Sequence, residues 1–456
     1  MPRSFDVRIW SIAQRKNQQG KVTSYGIRWR VGAKRFYESC KTRAQADRFR
    51  AELIAAQNRG EAFDAESGKP ISASGTVRET TWFEIACDYV DMKWEAASAT
   101  ARQTIAEALI RITPVFLPNG PGKPDERAIR SALRGYAFNT RTRAGHVPDE
   151  AGAVLRWCAR NSRPVSDALH PQTLRVLEKA VTTTLSGSKY APSVARKTRS
   201  VLSSVLAYAV EREALEKNPL DTAKWTTMPK GNRTIDPRTV PNPAQARALL
   251  TAVRGIRRSG PRLEAFFGAM YFAGLRPEEA VALRRRDLVL PDSGWGEIYV
   301  DEAHPHAGKH WTGTDRARET RGVKARDAGE GRPVPCPPEL VDLFRRHLAA
   351  FPEGGDRVFV GDRGQDVPKI TYMRVWREAR VAAFTEEVRV SRLARRPYSL
   401  RHAAVSTWLA AGVDPAVVAR WAGHSVAVLM DVYAACLHGR DVIARGQVDR
   451  FFGYGR

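Results

Sequence analysis

The sequence predicts a mainly α-helical fold with small β elements, arranged as three units. Short alternating apolar and polar runs, typical of strands, are concentrated before residue 40. From Thr81 onwards, apolar residues recur at steps of three and four, as in amphipathic helices. Two stretches without periodicity separate the units. The predicted order is a β-sheet plus helix at 1–62, a linker at 63–78, a helical bundle at 79–225, a linker at 226–242, and an α-rich unit with a small β-sheet or hairpin at 243–456.

Length and charge favour several domains and a polyanionic partner. The 456 residues suffice for two to four domains of ordinary size. Lys and Arg number 74 against 49 Asp and Glu, which gives a formal charge of +25 and a pI near 10.3. Neutralising phosphates is the commonest use of such an excess, so nucleic acid is the predicted partner. The alternative is a generally basic proteome in which these arginines are simply solvated.

The cysteines and the apolar runs indicate a reducing, cytoplasmic setting. The five cysteines are widely scattered, their number is odd, and no C-x-x-C spacing occurs. This pattern argues against a disulfide framework and against a zinc site, so no metal is predicted. No apolar run approaches the length of a membrane span, and the first residues lack the pattern of a signal peptide. We therefore expect no membrane partner.

The first 60 residues predict a small basic sheet followed by a helix. Three alternating runs, FDVRIW, TSYGIRWRV and KRFYESC, predict a three-stranded antiparallel sheet. Thr42 is the predicted N-cap of the helix. The net charge of this segment is roughly +10, and arginines between aromatic residues suit insertion into a DNA groove. The candidate DNA contacts are Arg28, Arg30 and Arg35. The alternative is a solvated basic face.

The second unit predicts a helical bundle with one basic edge. Its first apolar stripe begins at Trp82, and its last predicted helix runs through SKYAPSVARKTRSVLSSVLAYAVEREALEKNPL. The N-terminal part of that helix carries the candidate DNA contacts Lys189, Arg196, Lys197 and Arg199. Such a unit resembles a clamp across a duplex, and a flexible linker after it would let two basic domains close around one DNA. The alternative is an ordinary bundle with a charged surface.

The third unit predicts helices around two short strands, at 296–300 and 332–335. A buried helix ends near Gly274, and Pro277 suits the first turn of the next helix. A polar, basic segment lies between the two strands. Further on, the stretch from Arg401 to His424 is long enough for a helix, a turn and a second helix, which would bring a guanidinium and an imidazole together.

A guanidinium, an imidazole and a phenol at one centre suggest phosphoryl transfer on DNA with tyrosine as the nucleophile. The phenol must attack phosphorus in line, cations must neutralise the non-bridging oxygens, and an acid must protonate the leaving 5′ oxygen. Arginine suits the second task because its planar fork binds two oxygens and stays charged. Singly, each candidate has an ordinary explanation, Arg276 as a surface ion-pair partner and Tyr433 as a core residue.

The order of several short motifs is more specific than any one of them. AGLRPEE contains Arg276, Lys324 precedes RPVP, LRH contains Arg401, WAGHS contains His424, and Tyr433 follows nine residues later. This order closely resembles the tyrosine recombinase (phage integrase) family over about residues 240–440. The two preceding units fit the family's arm-binding and core-binding domains by architecture and not by motif.

The resemblance implies a role for each of these residues. Arg276 and Arg401 would clamp the scissile phosphate. Lys324 would be the hairpin lysine, acting as the general acid toward the leaving 5′ oxygen. His424 would hydrogen-bond to the phosphate and help to handle protons. Tyr433 would form a 3′-phosphotyrosyl bond with the DNA.

Three neighbouring residues have supporting or unsettled roles. Glu279 matches the family's acidic helper, and His402 matches a residue that usually supports the site. Tyr398 stands where many members have histidine, and it is counted among the catalytic candidates. A phenol can donate a hydrogen bond to phosphate but does not titrate near neutrality, so no proton transfer by Tyr398 is expected. Tyr398 is also a rival nucleophile, and Tyr433 is preferred because the family's nucleophile follows the G-H motif.

The resemblance implies site-specific recombination by an integrase of a phage or mobile element, in either direction. No cofactor is implied, because the phosphotyrosine conserves the bond energy. The implied partners are double-stranded DNA with attachment sites, a homotetramer on that DNA, a directionality factor and a host DNA-bending protein. The tail at 434–456 would dock on a neighbouring protomer or pack in cis. Two alternatives stay open, a type IB topoisomerase-like enzyme and a non-catalytic DNA-binding protein.

Overall fold

The computed structural model describes residues 3–16, 20, 22–71, 79–229, 234–322, 331–433, 445, 446, 448, 449 and 452. Its strands are β1 (Arg3–Ser4), β2 (Val7–Ile9), β3 (Ala13–Lys16), β4 (Val22–Val31), β5 (Lys34–Cys40), β6 (Phe63–Asp64), β7 (Leu288–Val289), β8 (Gly296–Val300), β9 (Glu302–Ala303), β10 (Arg321–Gly322) and β11 (Arg332–Cys336). The helices before the second linker are α1 (Arg43–Asn58), α2 (Trp82–Trp94), α3 (Ala99–Ile112), α4 (Glu126–Ala132), α5 (Thr140–Ala144), α6 (Asp149–Asn161), α7 (Pro171–Thr182) and α8 (Pro192–Glu211).

The remaining helices are α9 (Pro243–Arg254), α10 (Gly260–Phe272), α11 (Pro277–Ala282), α12 (Lys309–Thr312), α13 (Pro338–Ala350), α14 (Lys369–Ala383), α15 (Glu386–Val390), α16 (Tyr398–Ala410), α17 (Pro415–Ala422) and α18 (Val426–Tyr433). The expected fold class, mainly α with small β elements, is therefore confirmed. None of the helices in the described ranges is long and apolar enough to cross a membrane.

The N-terminal sheet is antiparallel and is built around β4. Strand β5 pairs with one edge of β4, whereas β2 and β3 pair one after the other with its opposite edge. Among the described residues this sheet has four strands and not the predicted three, because the run FDVRIW contains only β2 and an additional strand, β3, follows it. Helix α1 begins after Thr42, as predicted, with a reciprocal capping box to Gln45. It covers the face of the sheet that buries Ile27, Trp29 and Val31.

The first predicted linker, 63–78, begins too early. Residues 63–71 belong to the N-terminal unit, since β6 pairs with β1 and buries Phe63. The buried Asp64 carboxylate accepts two backbone N–H groups of the following turn, and the Trp29 indole donates to the Gly68 carbonyl. Gly, Ser and Pro here build a tight turn over the sheet. Residues 72–78 lie outside the described part of the chain.

The second unit is a helical bundle made of α2 to α8. Trp82 begins the predicted apolar stripe and stacks on Phe116, with ring centroids 4.4 Å apart. The predicted last helix is shorter than expected and spans only α8. Its predicted start is irregular because Thr183 and Lys189 form a bridge, and Pro192 then opens the helix.

The second predicted linker, 226–242, is attached to both neighbouring units. The backbone N–H and hydroxyl of Thr227 donate to the buried Glu178 carboxylate at 2.7 and 2.8 Å. Ile235 donates its backbone N–H to the Val432 carbonyl at 3.0 Å, next to the end of α18. A freely flexible tether is therefore wrong for these described parts, whose polar groups find fixed partners. Residues 230–233 lie outside the description.

The third unit surrounds the buried helix α10. Helices α9, α13 and α16 pack on α10, and aromatic residues such as Phe266 and Phe267 fill the core. The two predicted strands form β8 and β11, which pair antiparallel, and β7 completes this small sheet. The sheet lies against α17, so that β11 approaches the turn after that helix.

Residues 303–319 of the third unit fasten it to the helical bundle. Trp311 is buried in the core of the bundle, where its ring lies 6.3 Å from that of Trp94. Arg102 donates to the Trp311 carbonyl at 3.0 Å, and Asn139 donates to the His310 carbonyl at 2.9 Å. These contacts join the second and third units, and the segment that makes them precedes Lys324 in the sequence.

Candidate active site

Helix ends position the candidate side chains. Arg276 is the N-cap residue of α11, because Gly274 with φ +60° ends the preceding helix segment and Pro277 starts the next. Arg401 lies one turn inside α16. His424 follows Gly423, whose left-handed φ of +62° ends α17. Tyr433 is the last described residue of α18. The structure thus brings together the motifs of Arg276, Arg401, His424 and Tyr433, which lie far apart in the sequence.

Glu279 is the acidic centre of this cluster. Its carboxylate is 2% exposed and accepts hydrogen bonds from Arg276 at 2.5 Å and from Arg332 at 3.1 and 3.0 Å. A nitrogen of Arg401 lies 3.8 Å away. Burial raises the pKa of Glu279, but Arg332, Arg276 and Arg401 outweigh burial and hold the pKa at about 2. Glu279 is therefore ionised at neutral pH and orients the arginines around it.

Arg401 is completely buried and is held by polar groups from two segments, the turn at Gly274 and the end of α17. Its guanidinium donates to the carbonyls of Gly274 and Ala422 and lies 3.0 Å from Nε2 of His424. Burial lowers the pKa of Arg401, and the neighbouring Arg276 adds to this effect. Arginine still carries its charge at neutral pH, because its ordinary pKa is so high. The α16 guanidinium is therefore a fixed, desolvated cation.

The backbone carbonyls of Gly274 and Gly423 each accept a hydrogen bond from one of the two candidate phosphate-binding arginines. The Gly274 carbonyl, two residues before Arg276, accepts from Arg401. In return, the Gly423 carbonyl, one residue before His424, accepts from Arg276 at 2.9 Å. Both glycines have positive φ, which a residue with a Cβ rarely adopts. The backbone itself therefore fixes the two guanidinium groups relative to each other.

His424 is a neutral imidazole whose tautomer follows from its partner. Burial is the main cause that lowers its pKa to about 3, and Arg401 and Arg276 lower it further. Because arginine is only a donor, Nε2 of His424 must accept the hydrogen bond from Arg401, so Nδ1 carries the proton. Among the described residues, this buried Nδ1 has no partner, and neither has Nε of Arg401. The two atoms are free donors within a cationic site.

Tyr433 is hydrogen-bonded to His402. The phenol is 1% exposed, its oxygen lies 2.8 Å from Nδ1 of His402, and its ring centroid is 6.3 Å from that of His424. Burial and the charge of Arg401 lower the pKa of His402 to about 4. His402 is thus neutral at pH 7, and its Nδ1 can accept the phenol proton.

Tyr398, the rival tyrosine, contacts the same histidine in a different way. Its ring meets the His402 ring edge-on, with centroids 5.0 Å apart. It stands at the start of α16, one turn before Arg401, and is partly exposed. It therefore borders the site, whereas Tyr433 makes the hydrogen bond to His402.

Arg332 was not predicted from the sequence. It begins β11, is 1% exposed and binds both carboxylate oxygens of Glu279. A sequence signal did exist, because Arg332, Val334 and Cys336 alternate onto the buried face of the strand. A charged residue in phase with inward-facing apolar residues indicates a buried charge that needs a partner.

Several predicted residues lie elsewhere. Lys324 and most of the 434–456 tail lie outside the described residues. The sheet candidates Arg28, Arg30 and Arg35 lie on the face opposite α1. Of the candidates near α8, three side chains are exposed, namely Lys189, Arg196 and Lys197.

Arg199 differs from the other candidates near α8. It is partly buried, with its guanidinium 5.3 Å from the centroid of the Trp225 ring, and it donates to the Leu220 carbonyl at 3.4 Å. These contacts hold the segment after α8 against the bundle. The side chain therefore supports the fold at this place.

The charges of the cluster leave an excess of positive charge. Arg276, Arg332 and Arg401 surround the single carboxylate of Glu279, while His424 is neutral. Desolvated cations beside free hydrogen-bond donors suit an anion with several oxygens, such as a phosphodiester. Within the described ranges, no group of three His, Cys, Asp or Glu residues could hold a metal ion.

The chain is similar to several solved DNA recombinases. No protein-family model and no curated protein matches it. A Tn1549 transposon integrase in complex with circular intermediate DNA is 18% identical, with a TM-score of 0.47, over 70% of this chain and 99% of that chain. XerH site-specific recombinase bound to difH substrate is 13% identical, with a TM-score of 0.43, over 74% and 92%. A lambda integrase dimer bound to a COC′ core site is 12% identical, with a TM-score of 0.45, over 90% and 91%.

Proposed function

We propose that the protein is a site-specific tyrosine recombinase that cleaves and rejoins double-stranded DNA through a 3′-phosphotyrosyl intermediate. The observation that carries this proposal is one buried cluster that contains both positively charged side chains suited to bind an anion and a hydrogen-bonded phenol. Arg276 and Arg401 supply the cations, and Tyr433 supplies the phenol beside neutral His402. The order of the sequence motifs supports the same reaction.

In the proposed step, the Tyr433 oxygen attacks the scissile phosphorus and the bond from phosphorus to the 5′ oxygen breaks. The phenol proton passes to Nδ1 of His402, which is neutral and within hydrogen-bond distance. Arg276 and Arg401 bind the non-bridging oxygens, whose negative charge grows in the transition state. The free Nδ1–H of His424 donates to the same phosphate.

The leaving 5′ oxygen needs a proton, and we propose Lys324 as its source. In the sequence, Lys324 lies between β10 and β11. Arg332, which begins β11, is part of the cluster. Religation is the reverse reaction, in which a 5′ hydroxyl attacks the phosphotyrosine. Bond energy is conserved, and no cofactor is required in this scheme.

The N-terminal unit is proposed to hold the DNA outside the cleavage site. Arg30 lies opposite Arg35 on β5 and Arg8 on β2, and Arg28 lies opposite Tyr37. This row of arginines on one face of a thin sheet suits contact with phosphates in a groove. The exposed Arg196 and Lys197 of α8 would add a second basic surface.

Recombination further requires several protomers. Exchange of two duplexes needs four strand cleavages, and a homotetramer with one Tyr433 in each protomer would supply them. Integration of a phage or mobile element, with a directionality factor and a host bending protein, is the biological setting that we propose from the motif order.

The test is covalent trapping on a nicked duplex. The substrate carries the joined ends of the element that flanks this gene, with the nick placed so that the cleaved 5′ fragment diffuses away. A recombinase forms a protein–DNA adduct on this site but not on a scrambled duplex. A type IB topoisomerase-like enzyme would relax any supercoiled plasmid. A non-catalytic DNA-binding protein would shift the duplex without an adduct, and this result would overturn the proposal.

A further inference from the structure

We propose that Arg332 is a positioning residue that orients the phosphate-binding arginines by holding Glu279 against the turn at Gly423. This inference rests on the proposed function and deepens it, because it adds a residue to the same site. Arg332 would act through Glu279, and it would not touch the DNA itself.

The first support is the geometry of the ion pair. Nη1 and Nη2 of Arg332 lie 3.1 and 3.0 Å from the two carboxylate oxygens of Glu279, so both oxygens are held at once. The same oxygens bind the side chain and backbone N–H of Arg276 at 2.5 and 2.9 Å. A shift of Glu279 would therefore move Arg276. A bidentate pair fixes a plane as well as a distance.

The second support is the absence of a side chain at Gly423. A Cβ added there would collide with the Arg332 guanidinium and would touch Arg276. The glycine before His424 therefore does two things, since its positive φ ends α17 and its bare Cα admits Arg332. The glycine of the G-H motif therefore provides the space that the Arg332 side chain of β11 occupies.

The third support is burial. Arg332 is 1% exposed, whereas the side chain of Arg276 is 24% exposed. Arg401 is as buried as Arg332, but its hydrogen bonds go to two carbonyls and to neutral His424, whereas both terminal nitrogens of Arg332 bind the charged carboxylate of Glu279. The charge of Arg332 is therefore the more fully compensated of the two. Burying an ion pair rarely adds net stability compared with apolar residues of the same size. An arrangement of three arginines around one carboxylate is thus better explained by orientation than by stability.

The test measures the rate of cleavage separately from DNA binding. The full-length parent, Arg332→Gln, Glu279→Gln and the double variant are compared in single-turnover adduct formation on the nicked duplex. We expect Arg332→Gln to cleave about 100-fold more slowly, because misplacement by about 1 Å has that effect. Its Kd for the duplex should stay within about threefold of the parental value, since the exposed basic surfaces are intact.

The double variant decides whether Arg332 acts through Glu279. If it does, the double variant cleaves about as slowly as Glu279→Gln alone, because the two losses are not independent. The inference would be contradicted if the loss of rate in the double variant equalled the product of the losses in the two single variants. Arg332→Lys keeps the charge but cannot hold both oxygens. It should cleave at a rate between those of Arg332→Gln and the parent, and a parental rate would also contradict the inference.

The pH dependence gives a second readout. Glu279 faces charged or titratable groups from each packed segment, namely Arg276 at the start of α11, Arg332 on β11, Arg401 on α16 and His424 after α17. Without Arg332, the pKa of Glu279 rises, because the strongest opposing charge is gone. Arg332→Gln should therefore lose cleavage towards acid pH earlier than the parent, whereas the double variant, which lacks the carboxylate, should not show this added loss.

Arg380→Gln is the matched control. Arg380 is also a buried arginine of the third unit, but it donates only to backbone carbonyls of residues 388–393. Its loss should lower Tm without changing the cleavage rate of the folded protein. If Arg332→Gln does not fold, the double variant and Arg332→Lys carry the test. A parent that forms no adduct contradicts the proposed function, whereas an active parent matched by Arg332→Gln contradicts this inference alone.

Discussion

The Tyr433 hydroxyl lies 2.8 Å from Nδ1 of His402, although 31 residues separate them in the sequence. The histidine stands on α16, next to Arg401, and the tyrosine ends α18. One helix therefore carries both the proposed phosphate-binding cation and the proposed acceptor for the proton of Tyr433. A small movement of α18 would change the distance from the phenol to both groups.

His402→Gln tests the proton acceptor. Gln keeps a polar side chain of similar reach but does not take up a proton near neutrality. We expect single-turnover cleavage to fall by about 10²- to 10⁴-fold, the usual contribution of a positioned base. The Kd for DNA should remain at the parental value. Cleavage by His402→Gln at the parental rate would assign the phenol proton to another acceptor.

Acid should destabilise the protein through its buried histidines. Burial lowers the pKa of His402 to about 4 and of His424 to about 3, from an ordinary value of 6.5. The unfolded chain therefore binds more protons than the folded chain below pH 6.5, and stability falls as the pH drops towards 4. Burial also lowers the pKa of His306 and His347, which contribute to the same window.

The measurement is the free energy of unfolding from pH 7.5 to pH 4.5. Glu279 adds little to the change in this range, since its stabilisation is lost only below its ordinary pKa of 4.5. The double variant His402→Gln/His424→Gln should lose less stability over this range than the parent. An equal loss would mean that these two histidines are not neutral in the folded state.

Arg401→Lys should abolish most cleavage although the charge is retained. The guanidinium donates to two carbonyls and to His424, and a single ammonium group cannot satisfy all three from one position. We expect a loss of cleavage of at least about 100-fold and a lower Tm. Near-parental cleavage would show that charge alone suffices at this position.

The arginine row of the N-terminal sheet should control salt-dependent binding. Replacing Arg28, Arg30 and Arg35 by Gln should weaken binding to long duplexes and reduce the slope of log K against log salt. The expected reduction is about 0.9 for each phosphate contact that is lost. Cleavage on a preloaded core site should remain unchanged.

A triple replacement on α1 is the control for this charge change. Arg43, Arg48 and Arg59 are exposed, and each pairs with an acidic residue on or next to α1, away from the row of arginines. Their replacement by Gln should leave the salt slope close to the parental value. If both triple variants behave alike, net charge and not the sheet face determines binding.

Trp311 should hold the second and third units together. Trp311→Ala removes a large side chain from the core of the helical bundle, so we expect the free energy of unfolding to fall by about 3–5 kcal/mol. The radius of gyration from X-ray scattering should rise as the units separate. Trp295→Ala is the control, because that side chain is 65% exposed in the same unit. Equal effects of both variants would contradict the role of Trp311.

The clustering of the main candidates was predictable because each one lies in a motif at a helix end. Gly before His424 and Pro after Arg276 specify local turns, and local turns can be read from a sequence. The convergence of Arg276, Glu279, Arg401 and His424 was implied only by the resemblance of the motif order to a known family. The hydrogen bond between His402 and Tyr433 was not implied, because it depends on how α18 packs against α16.

What the sequence could not show depends on long-range pairing. The role of Arg332 depends on its ion pair with Glu279, and the two residues are 53 positions apart in the sequence. The turn at 63–71 has the composition of a linker, yet Phe63 and Asp64 are buried by a strand from the N-terminus. Trp311 stands in a polar segment, and its partner core belongs to another unit. Composition alone does not distinguish a loop that docks from a loop that is free.

The residue that becomes attached to DNA distinguishes Tyr433 from Tyr398 as the nucleophile. Parent, Tyr433→Phe and Tyr398→Phe are incubated with the nicked duplex, and the adduct is digested and mapped by mass spectrometry. We predict a 3′-phosphotyrosyl bond at Tyr433, no adduct with Tyr433→Phe, and an adduct with Tyr398→Phe. An adduct that persists in Tyr433→Phe, or that maps to Tyr398, would contradict the assignment of Tyr433 as the nucleophile.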